Sequence, residues 1–216
     1  MLYDKTKDMP AKVQSSNLNE ELGMVHYIFS DKTGTLTQNV MEFQKFTAGG
    51  ISYGKSDPAK IEYGPGITNV NFEDDRVFNI LNDSSNEKYT ETMKFIECLG
   101  ICHTLVSEEK KVKGNLVRVY NASSPDELAL VNGMRHFGFA FRDRDNDDFI
   151  IIDNTITGET LKYKLLHVFE FNSDRKRMSV VVRTPQNKIM IVCKGADSII
   201  NARLLPGQQH VEETNK

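Results

Sequence analysis

From Phe139 onward the chain reads as one strand after another. "FAFR", "FIIID", "TLKYKLLHVFEF", "RMSVVVRT" and "KIMIVCK" follow each other with short polar stretches between them. β-Branched and aromatic residues at this density suit a half-buried pleated surface. Between the last two, "PQNK" is a turn. Strands in this order point to mainly antiparallel pairing, with the helical segments packed beside the sheet. The chain is thereby restricted to an α/β arrangement in the broad sense, an antiparallel sheet flanked by helices.

The helical patterns lie upstream. Residues 72–81 and 89–105 have helical periodicity, and the second places Phe95, Ile96, Leu99 and Cys102 at spacings suited to one face. "NLVRVY" alternates like a strand. "SSPDELALVNGMRHFG" carries a helix-start signature, with Ser124 as cap, Pro125 at the first helical position, and Asp126 and Glu127 in the first turn. A final short helix is expected over 197–205, ending at "PG". Towards the N-terminus "VMEFQKFTA" and "ISYG" read as strands joined by a turn at Gly49 and Gly50. Residues 55–68, with Pro58, Gly64, Pro65 and Gly66, read as a loop. The first 20 or so residues are polar and read as an extended linker.

Composition excludes some classes of function. Hydrophobic residues at 39% and charged residues at 26% belong to an ordinary globular chain. A net charge of −3 gives no support to a nucleic-acid or membrane-surface binder. Three cysteines without framework spacing favour a reducing setting over a secreted one. No apolar run approaches the roughly 18 residues of a spanning helix, and no signal-peptide core opens the chain.

Two stretches look built for phosphate. "GGISYGKS", 49–56, fits the G-x-x-x-x-G-K-[ST] pattern of a P-loop. That motif needs a strand, a glycine-rich loop and then a helix whose N-terminus faces the phosphates. Here "ISYG" is itself strand-like, and Gly64-Pro65-Gly66 leaves no room for a helix of useful length. The stretch reads instead as a β-hairpin. The second, "YIFSDKTGTLT", has the context its chemistry requires. An apolar run over 24–30, suited to a buried strand, ends at Asp31. Gly34 permits a tight turn beyond it. A carboxylate nucleophile so placed is held while the turn offers N–H donors to a transferring phosphate. Taken as a bare D-x-T-G, the same residues would simply cap a turn.

The seven residues "DKTGTLT" are identical to the phosphorylation signature of P-type ATPases, and on them the chain resembles that family. "QSSNLNEELG", "SSPDELALV", "FEFNSDRKRMSVVVR" and "CKGADSII" look like its type IV branch, the phospholipid flippases. These segments extend from Gln14 to Ile200. The resemblance implies that Asp31 becomes the aspartyl-phosphate, that Mg²⁺ is held partly by Asp31 and the backbone of Thr33, and that Lys32 and Thr33 contact the nucleotide phosphates. It further implies an ATP pocket in which Phe171 stacks on adenine and Lys194 is the pocket cation. Glu127 is then the acidic residue of the binding helix, with Ser173 and Lys176 contributing from the same strand-turn region. Read without the resemblance, Phe171 is a core phenylalanine at a strand end, Lys194 a solvated lysine and Glu127 a favourable charge at a helix N-terminus. Arg175 and Arg177 read as exposed charges that shape the potential.

The same resemblance divides the chain into a linker (1–23), the first strand and nucleophile turn of a haloacid-dehalogenase-like phosphorylation domain (24–44), a nucleotide-binding domain (45–210) and a polar tail (211–216). Neither a GDG-x-ND nor a DPPR-like segment follows, and the membrane helices and actuator domain of the family are not among these residues. The chain therefore reads as a cytosolic part of a multi-pass membrane protein that binds ATP without transporting. In the parent, phospholipid would move from the outer to the cytosolic leaflet, with an accessory membrane subunit as partner. A cation-transporting member of the family and a soluble P-loop NTPase are the alternatives. A haloacid-dehalogenase-type phosphatase is disfavoured because Thr33 stands where its second Asp belongs. "TGET" at 157–160 reads as a turn, and Cys98, Cys102 and His103 read as core rather than a metal site.

Overall fold

The computed structural model describes all residues except 1, 2, 6, 11, 13–17, 57–62, 64, 65, 113 and 216. Much of the expected loop over 55–68 and part of the expected linker lie outside the described residues. The chain divides into two compact units, Met1–Asn39 and Val40–Lys216.

In the first unit, two-residue strands β1 (Tyr3–Asp4) and β2 (Met9–Pro10) pair antiparallel, and α1 spans Leu18–Gly23. The buried strand expected over 24–30 is not formed. Those residues carry no strand assignment, and Tyr27, Ile28 and Phe29 are 82%, 85% and 95% exposed. An apolar run becomes a stable strand only with neighbours to complete its ladder and cover its faces. Among the described residues no strand pairs with it.

The second unit begins with the hairpin of β3 (Phe46–Ala48) and β4 (Ile51–Tyr53), closed by Gly49 and Gly50 at φ 55° and 77°. Of "VMEFQKFTA", only the last three residues are strand. Phe43, assigned from sequence to the preceding domain, sits in the core of this unit. Its N–H donates to Asn69 O and its carbonyl accepts from the Asn71 N–H. Phe43, Phe46, Phe72, Phe95 and Phe137 form an aromatic cluster, with Phe46 stacked on Phe95 at 4.3 Å and Phe72 edge-on to Phe137 at 4.9 Å. Such pairs contribute about 0.5–1.5 kcal/mol each beyond their area.

Helix α2 (Asp75–Leu81) begins three residues later than its apolar pattern suggests, because the Asp74 side chain caps it by accepting the Arg76 N–H. Phe72 is thereby left in the core. Helix α3 (Tyr89–Ile101) stops short of Leu105, and β5 (Val106–Val112) pairs along its length with β6 (Asn115–Asn121). Helix α4 (Pro125–His136) starts as expected. Ser124 stands at the cap position, but its side chain makes no capping hydrogen bond.

Strands β7 (Phe139–Arg144), β8 (Phe149–Asn154), β9 (Thr160–Phe169), β10 (Arg177–Arg183) and β11 (Ile189–Gly195) form an antiparallel meander, each strand bonded to the next. Alternation sets the faces. Ile150, Ile152, Tyr163, Met178, Val180, Val182 and Val192 join the core with α3 and α4, while Ile189 and Ile191 are exposed. "TGET" lies in the β8–β9 turn, where Gly158 takes φ 76°. Gly133 lets α4 approach the aromatic cluster: a Cβ there would lie 2.6 Å from the Phe43 ring. The final helix, α5 (Asp197–Asn201), is shorter than expected, and the polar tail holds the four-residue α6 (Val211–Thr214). No helix among the described residues is long and apolar enough to cross a membrane.

Candidate functional site

In the first unit the signature residues form a tight turn. The Gly34 N–H donates to Thr37 O at 2.8 Å, and both Leu36 and Thr37 N–H donate to Lys32 O at 3.0 Å. Gly34 has φ 78°, a conformation that a side chain would oppose. Asp31 stands exposed at the head of this turn, and its Oδ1 accepts the Lys32 N–H at 2.7 Å. Lys32 and Thr33 are exposed alongside.

In the second unit, a cleft of about 390 Å³ opens between the N-terminus of α4, the β9–β10 connection and the end of β11. It is lined by Ser124, Asp126, Glu127, Leu130, Phe171, Met178, Lys194, Gly195 and Ala196. Three of the expected site residues, Glu127, Phe171 and Lys194, thus come together although 67 residues separate the first from the last. Phe171 is 62% exposed, which removes the core reading. An aromatic face left to solvent at the mouth of a cleft is available for a flat ligand to stack on.

In the same lining, Glu127 is buried at 7% exposure, and both of its oxygens accept hydrogen bonds. Its Oε1 accepts from Lys194 Nζ at 2.8 Å, and its Oε2 accepts from the Thr104 N–H at 3.0 Å and the Thr104 hydroxyl at 2.9 Å. Burial works to raise the Glu127 carboxyl, but the Lys194 ammonium and the Thr104 donors outweigh it and hold the pKa below its usual value. The cleft therefore keeps an ionised carboxylate and an ammonium side by side, with an aromatic ring in the same lining.

Ser173 and Lys176 are exposed in the β9–β10 turn and are not among the cleft's lining residues. Lys176 acts through its backbone. It adopts φ 49°, and its carbonyl accepts the Ala196 N–H at 3.2 Å, tying the turn to the cleft floor. Arg175 and Arg177 are engaged rather than free: Arg175 lies over the Phe169 ring at 5.5 Å, and Arg177 donates to Arg175 O. Thr104 was not legible as a site residue, since a lone threonine after a helix carries no pattern.

The P-loop reading fails on geometry. Residues 49–56 comprise the turn of the β3–β4 hairpin, its second strand and the stretch Gly54–Ser56 beyond it. The Gly54 N–H donates to Asp74 Oδ2 at 3.0 Å, and Lys55 is ion-paired with Glu73. The small cleft beside them is lined by Gly54, Lys55, Glu73, Asp74, Asp75 and Arg76, and both of its cations are already paired with its carboxylates, Lys55 with Glu73 and Arg76 with Asp74. Cys102 and His103 are core residues. The Cys102 thiol faces the carbonyls of Met178 and Val192, and both ring nitrogens of His103 are used by backbone groups.

Residues 91–204 match the family described as P-type ATPase, cytoplasmic domain N. Over 98% of its length the chain is 43% identical to phospholipid-transporting ATPase FetA of Mus musculus, and over 97% it is 44% identical to phospholipid-transporting ATPase ID of the same organism. Over its full length it is 41% identical to phospholipid-transporting ATPase IC of Xenopus tropicalis. It spans 17–18% of the length of these relatives.

Proposed function

The chain belongs to the P-type ATPases, whose cytoplasmic domain N it contains, and from that premise we propose that it is the ATP-binding and phosphorylation-site portion of a phospholipid-translocating member. The observation that carries the proposal is the cleft whose lining brings exposed Phe171 together with the Glu127–Lys194 pair. Adenine stacks on Phe171, Lys194 supplies the cation of the pocket and Glu127 its acidic group. Gly195 brings the backbone close: a Cβ there would lie 2.6 Å from Lys176 O. Ser173 and Lys176 contribute from the turn beside it.

Asp31 is the nucleophile that accepts the γ-phosphate of ATP. Its exposure and its place at the head of a glycine turn support this, since a nucleophile must be reachable and held. Lys32 and Thr33 contact the phosphates. The Asp31 carboxylate and the Thr33 backbone oxygen are hard donors that fit Mg²⁺, which neutralises charge on the phosphate oxygens when bound. The domain division proposed is a linker, the opening of a haloacid-dehalogenase-like phosphorylation domain and then the nucleotide-binding domain. In the whole protein, phosphorylation is coupled to phospholipid movement from the outer to the cytosolic leaflet of a membrane. This region lies on the cytosolic side, and an accessory membrane subunit is the expected partner. The names of the relatives, all phospholipid-transporting, support the lipid over the cation branch.

Titration of the purified chain with ATP, followed by NMR or calorimetry, tests the assignment. Loss of base stacking is worth about 1–3 kcal/mol, so Phe171→Ala should weaken binding by about 5- to 150-fold while Lys55→Ala leaves it unchanged. The reverse result would place the nucleotide at 49–56 and refute the proposal.

A further inference from the structure

His103 is completely buried yet lies in an irregular segment between α3 and β5. The Leu105 N–H donates to its Nδ1 at 3.2 Å, so the proton sits on Nε2, which donates to Gly100 O at 3.0 Å. The ring is edge-on to Phe141 at 4.5 Å, and Arg144 donates to the His103 carbonyl. One imidazole thus clamps the backbone on both sides of Thr104. Thr104 in turn spends both of its donors on a single oxygen of Glu127. It does not line the cleft itself.

The geometry points to Thr104, locked in place by His103, as the positioning residue of the nucleotide pocket: it fixes the rotamer of Glu127, and through Glu127 the place of Lys194. The inference rests on the proposed nucleotide site. The three donors approach the two Glu127 oxygens from fixed directions and occupy three of about four acceptor sites on a carboxylate. One direction remains for a ligand donor, and Thr104 determines which one. Without the hydroxyl, Oε2 keeps only the Thr104 N–H. The carboxylate can then turn towards Lys194 and draw the ammonium away from the ligand. A hydroxyl at this position matters, whereas the γ-methyl does not.

The experiment compares wild type, Thr104→Val, Thr104→Ser and Phe171→Ala in the full 216-residue chain, with a non-hydrolysable ATP analogue titrated by NMR and thermal melting recorded in parallel. Thr104→Val, nearly isosteric, should raise the dissociation constant about three- to tenfold by removing one of the hydrogen bonds that hold Glu127 in place, and Thr104→Ser should restore wild-type affinity. Equal affinities for wild type and Thr104→Val overturn the inference. So does equal weakening by Val and Ser in step with lowered melting temperatures, which would make Thr104 merely structural. If Thr104→Val binds normally while Phe171→Ala does not, the positioning role alone fails. If Phe171→Ala also binds normally, the nucleotide site itself is wrong and this inference falls with it.

Discussion

Lowering the pH from 7 to 5 should destabilise the chain through His103 more than through any carboxylate. Burial, reinforced by the nearby Arg144 charge, pushes the imidazole pKa down to about 3, although Glu127 nearby favours the charged form; Lys194 also opposes protonation. In the unfolded chain the same ring titrates near 6.5. The unfolded state therefore binds a proton that the folded state refuses between about pH 6.5 and 3, and stability falls with pH across that window at about 1.4 kcal/mol per unit. Between pH 7 and 5 the loss comes to about 2 kcal/mol, a sizeable part of the roughly 5–15 kcal/mol that holds a domain. His136, half-buried and also shifted down by burial, adds to the same slope. The Asp74 carboxyl, held at about 2 chiefly by Arg76, acts in a lower window because its contribution is lost only as pH drops through the carboxylate range. Urea unfolding of wild type and His103→Gln at pH 7, 6 and 5 separates these contributions. The glutamine variant starts less stable, but its loss from pH 7 to 5 should be smaller by about 2 kcal/mol. Equal losses in the two proteins would refute the buried, neutral imidazole.

Two further substitutions probe the packing that holds the cleft in place. Gly133→Ala forces a methyl to within 2.6 Å of the Phe43 ring; overpacking of this kind costs roughly 1–3 kcal/mol, seen as a lowered midpoint in thermal melts. Asp74→Ala removes the α2 cap together with the acceptor for Gly54 N–H and Arg76. A loss of about 1–2 kcal/mol in urea titrations is expected, and the effect should vanish in acid once the carboxyl protonates.

The meander from β7 to β11 was plain in the sequence because its strands are dense in β-branched and aromatic residues and the connections between them are short. Helices α3 and α4 showed equally clearly through periodicity and through Pro125 with its acidic first turn. Strand β5 did not show. "VSEEKKV" is polar along most of its length, and it is a strand only because β6 pairs with every residue of it, down to the Glu109–Arg118 ion pair. The aromatic cluster was equally hidden, since Phe43, Phe72 and Phe137 meet through tertiary packing and share no local pattern. Of the cleft, Glu127, Phe171 and Lys194 could be named only through a family resemblance, because by periodicity Phe171 reads as core. Its exposure became visible once β9 was seen to end at Phe169. Thr104 carries no local signal, and His103 could be read only as core, since the roles of both exist only in the fold.

Residues 24–30 bear on how the chain behaves at the bench. Tyr27, Ile28 and Phe29 present apolar side chains to water on backbone that no neighbouring strand among the described residues satisfies. A short, uncharged, β-prone segment of that kind is a template for the same segment of another molecule. At high concentration the purified chain should therefore self-associate through its first unit, in a reaction that nucleotide does not suppress. Light scattering that rises with protein concentration would then report this segment and not the nucleotide cleft.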